Sequence, residues 1–274
     1  MNFYRGMDRA GLDAAYNNRA VVPGWEGYLA RWADRSGALY AARPCLRDLR
    51  YGEGVRQRLD IFPCGQPSRP TILFLHGGYW QWNDKEGQAF IAAGLLAHGL
   101  NVAIGEYTLA PAAGMADICA EAIAMTQWLA EKLLTIVSGK SEVWLCGIST
   151  GAHLMAYALD LPQVRGGLLI SGIYDLEPIR LSSLNDAIGM SAEDARQFSP
   201  LHRPVGAPKP LVLAFGDKER PEIQRQSRDF GEVLRAQGWR PGILPVEGAD
   251  HFSILETLAA GDGVLARSMA ELTQ

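Results

Sequence analysis

Short apolar runs alternating with helical segments predict an α/β fold, with a mainly parallel eight-stranded sheet and helices on both faces. Two observations carry that expectation. From Thr71 onward, strand-like runs and helical stretches follow one another, which implies right-handed crossovers between parallel neighbours. In addition, Gly147-Ile148-Ser149-Thr150-Gly151 stands directly after the apolar run Val143-Trp144-Leu145-Cys146. Leu154, Met155 and Ala158 follow it at helical spacing, so a strand ends in a sharp turn and a helix begins at the serine.

The elements follow in chain order. Residues 1–44, rich in Tyr, Trp, Arg and Ala, hold two helical patterns around Asp8–Asn17 and Gly24–Ala42; they are too few for a domain and read as an N-terminal arm on the main body. Leu46–Tyr51 and Gln57–Phe62 are short strands joined by Gly52-Glu53-Gly54, which suits a hairpin. Thr71–Leu75 is a strand, and Lys85–His98 a helix closed by Gly99. Asn101–Glu106 is a strand and Ala116–Leu134 a long amphipathic helix. Glu142–Cys146 leads into the serine turn, and Gly167–Ser171 is the next strand. Leu211–Phe215 and Gly242–Val246 complete the eight, with helices near Glu222–Gln237 and at the C-terminus. Residues 174–208 break the alternation with Pro178, Pro200, Pro204, Pro208 and a short helix near Ala192–Gln197. They read as a small insertion, or cap, above the strand ends of a single 274-residue domain.

Composition narrows the function classes. Hydrophobic residues make up 48% and charged residues 20%, with a formal net charge of -4 and both signs interspersed; this excludes a basic nucleic-acid stripe or an acidic tail. No apolar run is long enough to span a bilayer, and the first twenty residues lack the apolar stretch of a secretory signal. Cys45, Cys64, Cys119 and Cys146 are scattered, without a C-x-x-C pair, and read as reduced residues of a cytoplasmic protein. Phosphate-binding glycine motifs and metal-ligand spacings are absent, so no cofactor and no metal are expected.

A G-x-S-x-G turn presents a serine, but a hydroxyl becomes a nucleophile only when an oriented base takes its proton. Of five histidines, His98 closes a helix, where a cation complements the dipole. His153 sits one turn past Ser149 and reads as buried packing, and His202 lies in the Pro-rich insertion. His251, in Gly248-Ala249-Asp250-His251-Phe252, follows the last strand, the place of the base in a site ordered nucleophile, acid, histidine. The acid should follow Leu211–Phe215, where Asp217 and Glu219 compete. Glu219, three residues past Gly216, has room to turn back towards the histidine, whereas Asp217 could equally bond local backbone amides. An oxyanion needs preorganised donors. The N–H of Thr150 is one, and the Gly77-Gly78 pair of His76-Gly77-Gly78-Tyr79-Trp80, directly after Thr71–Leu75, can expose others.

His76-Gly77-Gly78-Tyr79-Trp80 together with the serine turn resembles the α/β-hydrolase superfamily, specifically its arylformamidase (kynurenine formamidase) branch, over most of the chain. Tyr16-Asn17-Asn18-Arg19, the segments Ser171–Pro178 and Asp194–Pro200, Pro221-Glu222 with Arg225-Gln226-Ser227, and Asp250-His251-Phe252 resemble it too. Aligned through Pro221-Glu222, the resemblance puts the acid on Glu219. Thr150 replaces the alanine common after the nucleophile, and Glu219 stands where an aspartate is frequent. The resemblance implies a serine hydrolase that cleaves an N-formyl amide of an arylamine through an acyl-enzyme, with Ser149, Glu219 and His251 as the triad and Gly77, Gly78, Tyr79 and Thr150 around the oxyanion. A broad-specificity carboxylesterase for small acyl esters is the alternative. Tyr79, Trp80 and Trp82 could wall the leaving-group pocket, with Tyr174 and His202 as further candidates. Core packing or a subunit interface serves the aromatic cluster equally well, so a homodimer is a possible partner state beside the small-molecule substrate.

Overall fold

The computed structural model describes residues 4–274 apart from 138, 140 and 204, so Pro204 of the insertion lies outside the described residues. Two helices open the chain, α1 (Arg9–Tyr16) and α2 (Trp25–Ala42). The strands are β1 (Leu46–Arg50), β2 (Arg58–Phe62), β3 (Thr71–Leu75), β4 (Asn101–Gly105), β5 (Val143–Ile148), β6 (Val164–Ile170), β7 (Leu211–Gly216) and β8 (Gly242–Val246). They form one sheet in the order β1-β2-β4-β3-β5-β6-β7-β8. β1–β2 and β2–β4 pair antiparallel, and all pairs from β4 to β8 are parallel. Each sequence-predicted strand is present, with ends moved by a few residues at most.

The remaining helices are α3 (Lys85–Gln88), α4 (Ala92–Ala97), α5 (Met115–Ile136), α6 (Thr150–Ala158), α7 (Glu177–Arg180), α8 (Asn185–Ile188), α9 (Ala192–Phe198), α10 (Pro221–Ala236), α11 (Glu256–Ala259) and α12 (Val264–Leu272). β3, β4 and β5 are buried along their whole length, because helices cover both faces. Successive side chains of a strand point to opposite faces, and the core divides accordingly. Leu73, Leu75, Leu145 and Leu169 pack with Ile118, Met125 and Leu129 of α5 and Phe230 of α10. Ile72, Phe74, Cys146 and Ile170 pack on the other face with Trp32 of α2, Leu95 of α4 and Met269 of α12. In α5, Ile118, Ala122, Met125, Leu129 and Leu133 recur at helical spacing and are all buried.

One expected helix is interrupted. Lys85–His98 divides into α3, a 3-10 turn at Ala89–Ile91 and α4. The cause is a side chain from α2: the Ser36 hydroxyl accepts a hydrogen bond from Phe90 N–H at 2.9 Å and donates to Gly87 C=O at 3.2 Å. A side chain inserted into the ladder breaks it there. Two short helices of the insertion, α7 and α8, lie where no periodicity announced them, each being a single turn.

Candidate active site

Every chemically relevant loop leaves the carboxyl end of a parallel strand, where sites of open α/β sheets form. Ser149 joins β5 to α6 with φ 56° and ψ -119°, a backbone state rare for a residue with a Cβ. Its N–H donates to Ile170 C=O at 2.8 Å, and its C=O accepts from His153 N–H at 3.1 Å, so both sides of the turn are held. The flanking glycines are required by packing. A Cβ on Gly147 would stand 2.6 Å from the Gly151 carbonyl carbon, and one on Gly151 would run into Leu75 C=O. The elbow thus lies directly against the end of β3.

The loop after β3 carries the donors. His76 Nδ1–H donates to Gly77 C=O at 2.8 Å, and Asn83 Nδ2–H donates to the same oxygen at 3.0 Å. Because a trans peptide sets its C=O and N–H in opposite directions, this fixes the Gly78 N–H away from those partners. The next carbonyl, of Gly78, accepts from Gln81 and Trp82 N–H at 2.9 and 3.0 Å, which orients the Tyr79 N–H in the same manner. Thr150 N–H shares its peptide with Ser149 C=O, which is turned into α6, so this N–H faces out of the helix start. Gly78, at φ 116°, and the positive φ of Tyr79 and Trp80 show how tightly the loop is coiled. Burial lowers the His76 pKa to about 4, so the imidazole is neutral and donates from Nδ1 alone. Nothing in the sequence singles out Asn83, whose amide pins this loop.

His251 follows β8 and Glu219 follows β7. His251 Nδ1 and Glu219 Oε1 stand 2.6 Å apart, with the glutamate side chain wholly buried and the imidazole 13% exposed. Glu219 Oε2 accepts from Gly216 N–H at 3.0 Å, so the carboxylate is oriented at both oxygens. Of the two competing acids it is Glu219 that meets the imidazole. Asp217 Oδ1 instead accepts from Gly248 N–H at 2.8 Å and ties the β7 and β8 loops together.

Ser149, His251, Gly77, Gly78 and Tyr79 line one cavity of about 360 Å³. Trp82 lines it too, but three expected pocket residues lie elsewhere. Trp80 is fully buried and packs edge-on against His153 at 5.1 Å, away from the cavity. Tyr174 is fully buried and stacked on Phe230 at 4.3 Å. His202 is half exposed, with Nε2 3.8 Å from Asp175 Oδ1 on the insertion. The rest of the wall comes mainly from the N-terminal arm (Asp13, Asn18, Arg19, Trp32), the insertion (Ser183) and the turn after β8 (Phe252). The arm is anchored by long-range contacts. Tyr79 Oη donates to Tyr16 C=O at 2.5 Å, Gln226 Nε2 donates to Tyr16 Oη at 2.9 Å, and Tyr4 Oη donates to Asp175 Oδ2 at 2.6 Å. His98 donates to Gly261 C=O and His153 to Phe198 C=O, both structural contacts. Among the described residues no group of three or more His, Cys, Asp or Glu side chains could hold a metal ion, and no helix is long and apolar enough to cross a membrane.

The profile of the alpha/beta hydrolase fold matches residues 72–214, the stretch from β3 to β7. Kynurenine formamidase of Salmo salar is 32% identical over 246 residues, covering 83% of this chain and 81% of that protein. Kynurenine formamidase of Danio rerio is 30% identical over 245 residues, with the same coverage. Among solved structures, a proposed thioesterase from Silicibacter sp. tm1040 superposes with a TM-score of 0.86 at 28% identity, covering 94% of this chain and 98% of that one. The chain therefore belongs to the α/β-hydrolase fold family, as a hydrolase of its arylformamidase-like branch.

Proposed function

We propose that this protein hydrolyses the N-formyl amide of an arylamine, with N-formylkynurenine as the reference substrate, through a formyl-enzyme on Ser149. Ser149 Oγ attacks the formyl carbon while His251 Nε2 takes the hydroxyl proton, and Glu219 holds the imidazole through Nδ1. The oxyanion is met by the N–H groups of Gly78, Tyr79 and Thr150. The C–N bond then breaks as His251 returns the proton to the aniline nitrogen, an arylamine being a poor leaving group without it. Water, deprotonated by the same imidazole, attacks the formyl ester and releases formate.

The observation that carries this reading is the His251–Glu219 contact at 2.6 Å beside a serine held at φ 56° in the same cavity. The formyl specificity is supported by the two formamidases, which align over four-fifths of each chain. The proposed thioesterase at TM-score 0.86 favours a second reading, a carboxylesterase for small acyl esters, since the same machinery expels a thiolate or phenolate. We read the chain as a single domain in which residues 1–44 and the insertion 174–208 frame the pocket. Its four free cysteines support a cytosolic setting. Formate release by Ser149→Ala tests the nucleophile: it should fall by roughly 10⁵-fold or more with binding retained. Turnover above a tenth of wild type would overturn the assignment.

A further inference from the structure

The side of the cavity built by the N-terminal arm carries polar groups that the proposed chemistry does not use. Asn18 lines the cavity, is only 5% exposed, and neither its Oδ1 nor its Nδ2 has a hydrogen-bond partner. A buried amide left unpaired costs on the order of 1–3 kcal/mol, so a retained one points to a group that arrives with the substrate. Next to it, the Arg19 guanidinium lies 4.4 Å from the Trp25 ring centroid and 4.8 Å from that of Trp82. Stacking on two ring faces leaves the planar edge of N–H donors free, the edge that binds carboxylates bidentately. Arg220 adds positive charge on this flank, with Nη2 3.5 Å from Asn17 C=O. Asp13 is the acidic side chain of the wall, and its Oδ1 already accepts from Ser183 N–H at 2.6 Å.

We propose that Arg19 and Asn18 form a carboxylate-recognition subsite for the leaving group, so that the preferred arylamine is one bearing an anionic carboxylate. The proposal rests on the formamidase reading. It places the anion opposite the scissile end, with Arg19 supplying the charge-assisted donors and Asn18 Nδ2 a neutral one. The arm, remote in sequence from the serine, then sets specificity while the strand-end loops perform the chemistry.

The test compares N-formylkynurenine with its α-carboxamide, which differs only in that charge. Wild-type kcat/KM should favour the acid about tenfold or more, mainly through KM, and Arg19→Met should bring the ratio close to one. The near-isosteric Asn18→Asp should invert it by placing an anion against the carboxylate. Equal wild-type values for acid and carboxamide would overturn the subsite, as would an Arg19→Met ratio unchanged from wild type. Failure of the formamidase reading looks different: neither formamide is cleaved. In that event the subsite is read from inhibition of p-nitrophenyl ester hydrolysis by kynurenine and by its carboxamide. Tighter inhibition by kynurenine that Arg19→Met abolishes supports the subsite, and equal inhibition refutes it.

Discussion

Glu219→Gln is the most informative single substitution, because it changes the charge and one proton donor while keeping the shape. In the structure Glu219 Oε1 is 2.6 Å from His251 Nδ1 and Oε2 is held by Gly216 N–H at 3.0 Å. The Gln side chain retains one carbonyl oxygen, and Gly216 N–H, which can only donate, selects it. The NH2 then faces His251 Nδ1 and drives the imidazole to the tautomer protonated on Nε2, which cannot accept the Ser149 proton. Loss of orientation and of a buried counter-charge for the imidazolium should lower kcat by roughly 10³–10⁴-fold, or ~4–6 kcal/mol of barrier. Asp217→Asn makes the internal control: its carbonyl can still accept from Gly248 N–H, so kcat should stay within about tenfold of wild type. The assay is steady-state formate release from N-formylkynurenine for both variants, with thermal melts to establish folding. A folded Glu219→Gln enzyme within threefold of wild type, or a larger loss at Asp217 than at Glu219, would refute the reasoning.

Two further outcomes follow from the geometry. Gly77→Ala places a Cβ 2.9 Å from that of Ser149 and 3.0 Å from Ile148 C=O, so the oxyanion loop must retreat; kcat should fall about 10²–10³-fold while KM changes little, and an unchanged kcat would contradict the donor placement. His76 and His153 are fully buried and held by burial to a pKa of about 4, below the usual 6.5. Between those values the unfolded chain binds more protons than the folded one, so stability rises with pH across that window and is lost as pH falls from about 6.5 towards 4. Up to about 3 kcal/mol per histidine is involved. Melting temperatures at pH 7 and 5 should therefore fall less for His153→Gln than for wild type, and equal slopes would count against a neutral buried His153.

The parts legible in the sequence are those whose chemistry demands local residues. Ser149 needs glycines at both ends of its turn because a Cβ on Gly147 would meet the Gly151 backbone and one on Gly151 would meet Leu75 C=O, and that demand is visible as G-x-S-x-G. The six strands β3 to β8 were legible as short, mostly apolar runs between turn residues, whereas the charged strand β1 (Leu46–Arg50) was legible with β2 only through the hairpin turn Gly52-Glu53-Gly54. Glu219 and Asp217 were separable by reach and by the resemblance aligned through Pro221-Glu222. The pocket wall was not legible, for two physical reasons. Adjacent residues of a coiled loop point in different directions, so Tyr79 and Trp82 line the cavity while Trp80 packs on His153. The opposite wall depends on contacts across the whole chain, such as Tyr79 Oη to Tyr16 C=O and Gln226 Nε2 to Tyr16 Oη. No local periodicity encodes those. The same holds for the break in Lys85–His98, imposed by Ser36 from a different helix.

The central claim is that this catalytic apparatus serves formamides. The direct measurement is kcat/KM of the wild-type enzyme for N-formylkynurenine against that for p-nitrophenyl acetate under identical conditions. The proposed protonation of the departing arylamine by His251 and the proposed carboxylate subsite at Arg19 together predict that the formamide is the better substrate, by about tenfold or more. A formamide rate at background beside rapid ester turnover would contradict the account and leave an esterase in its place.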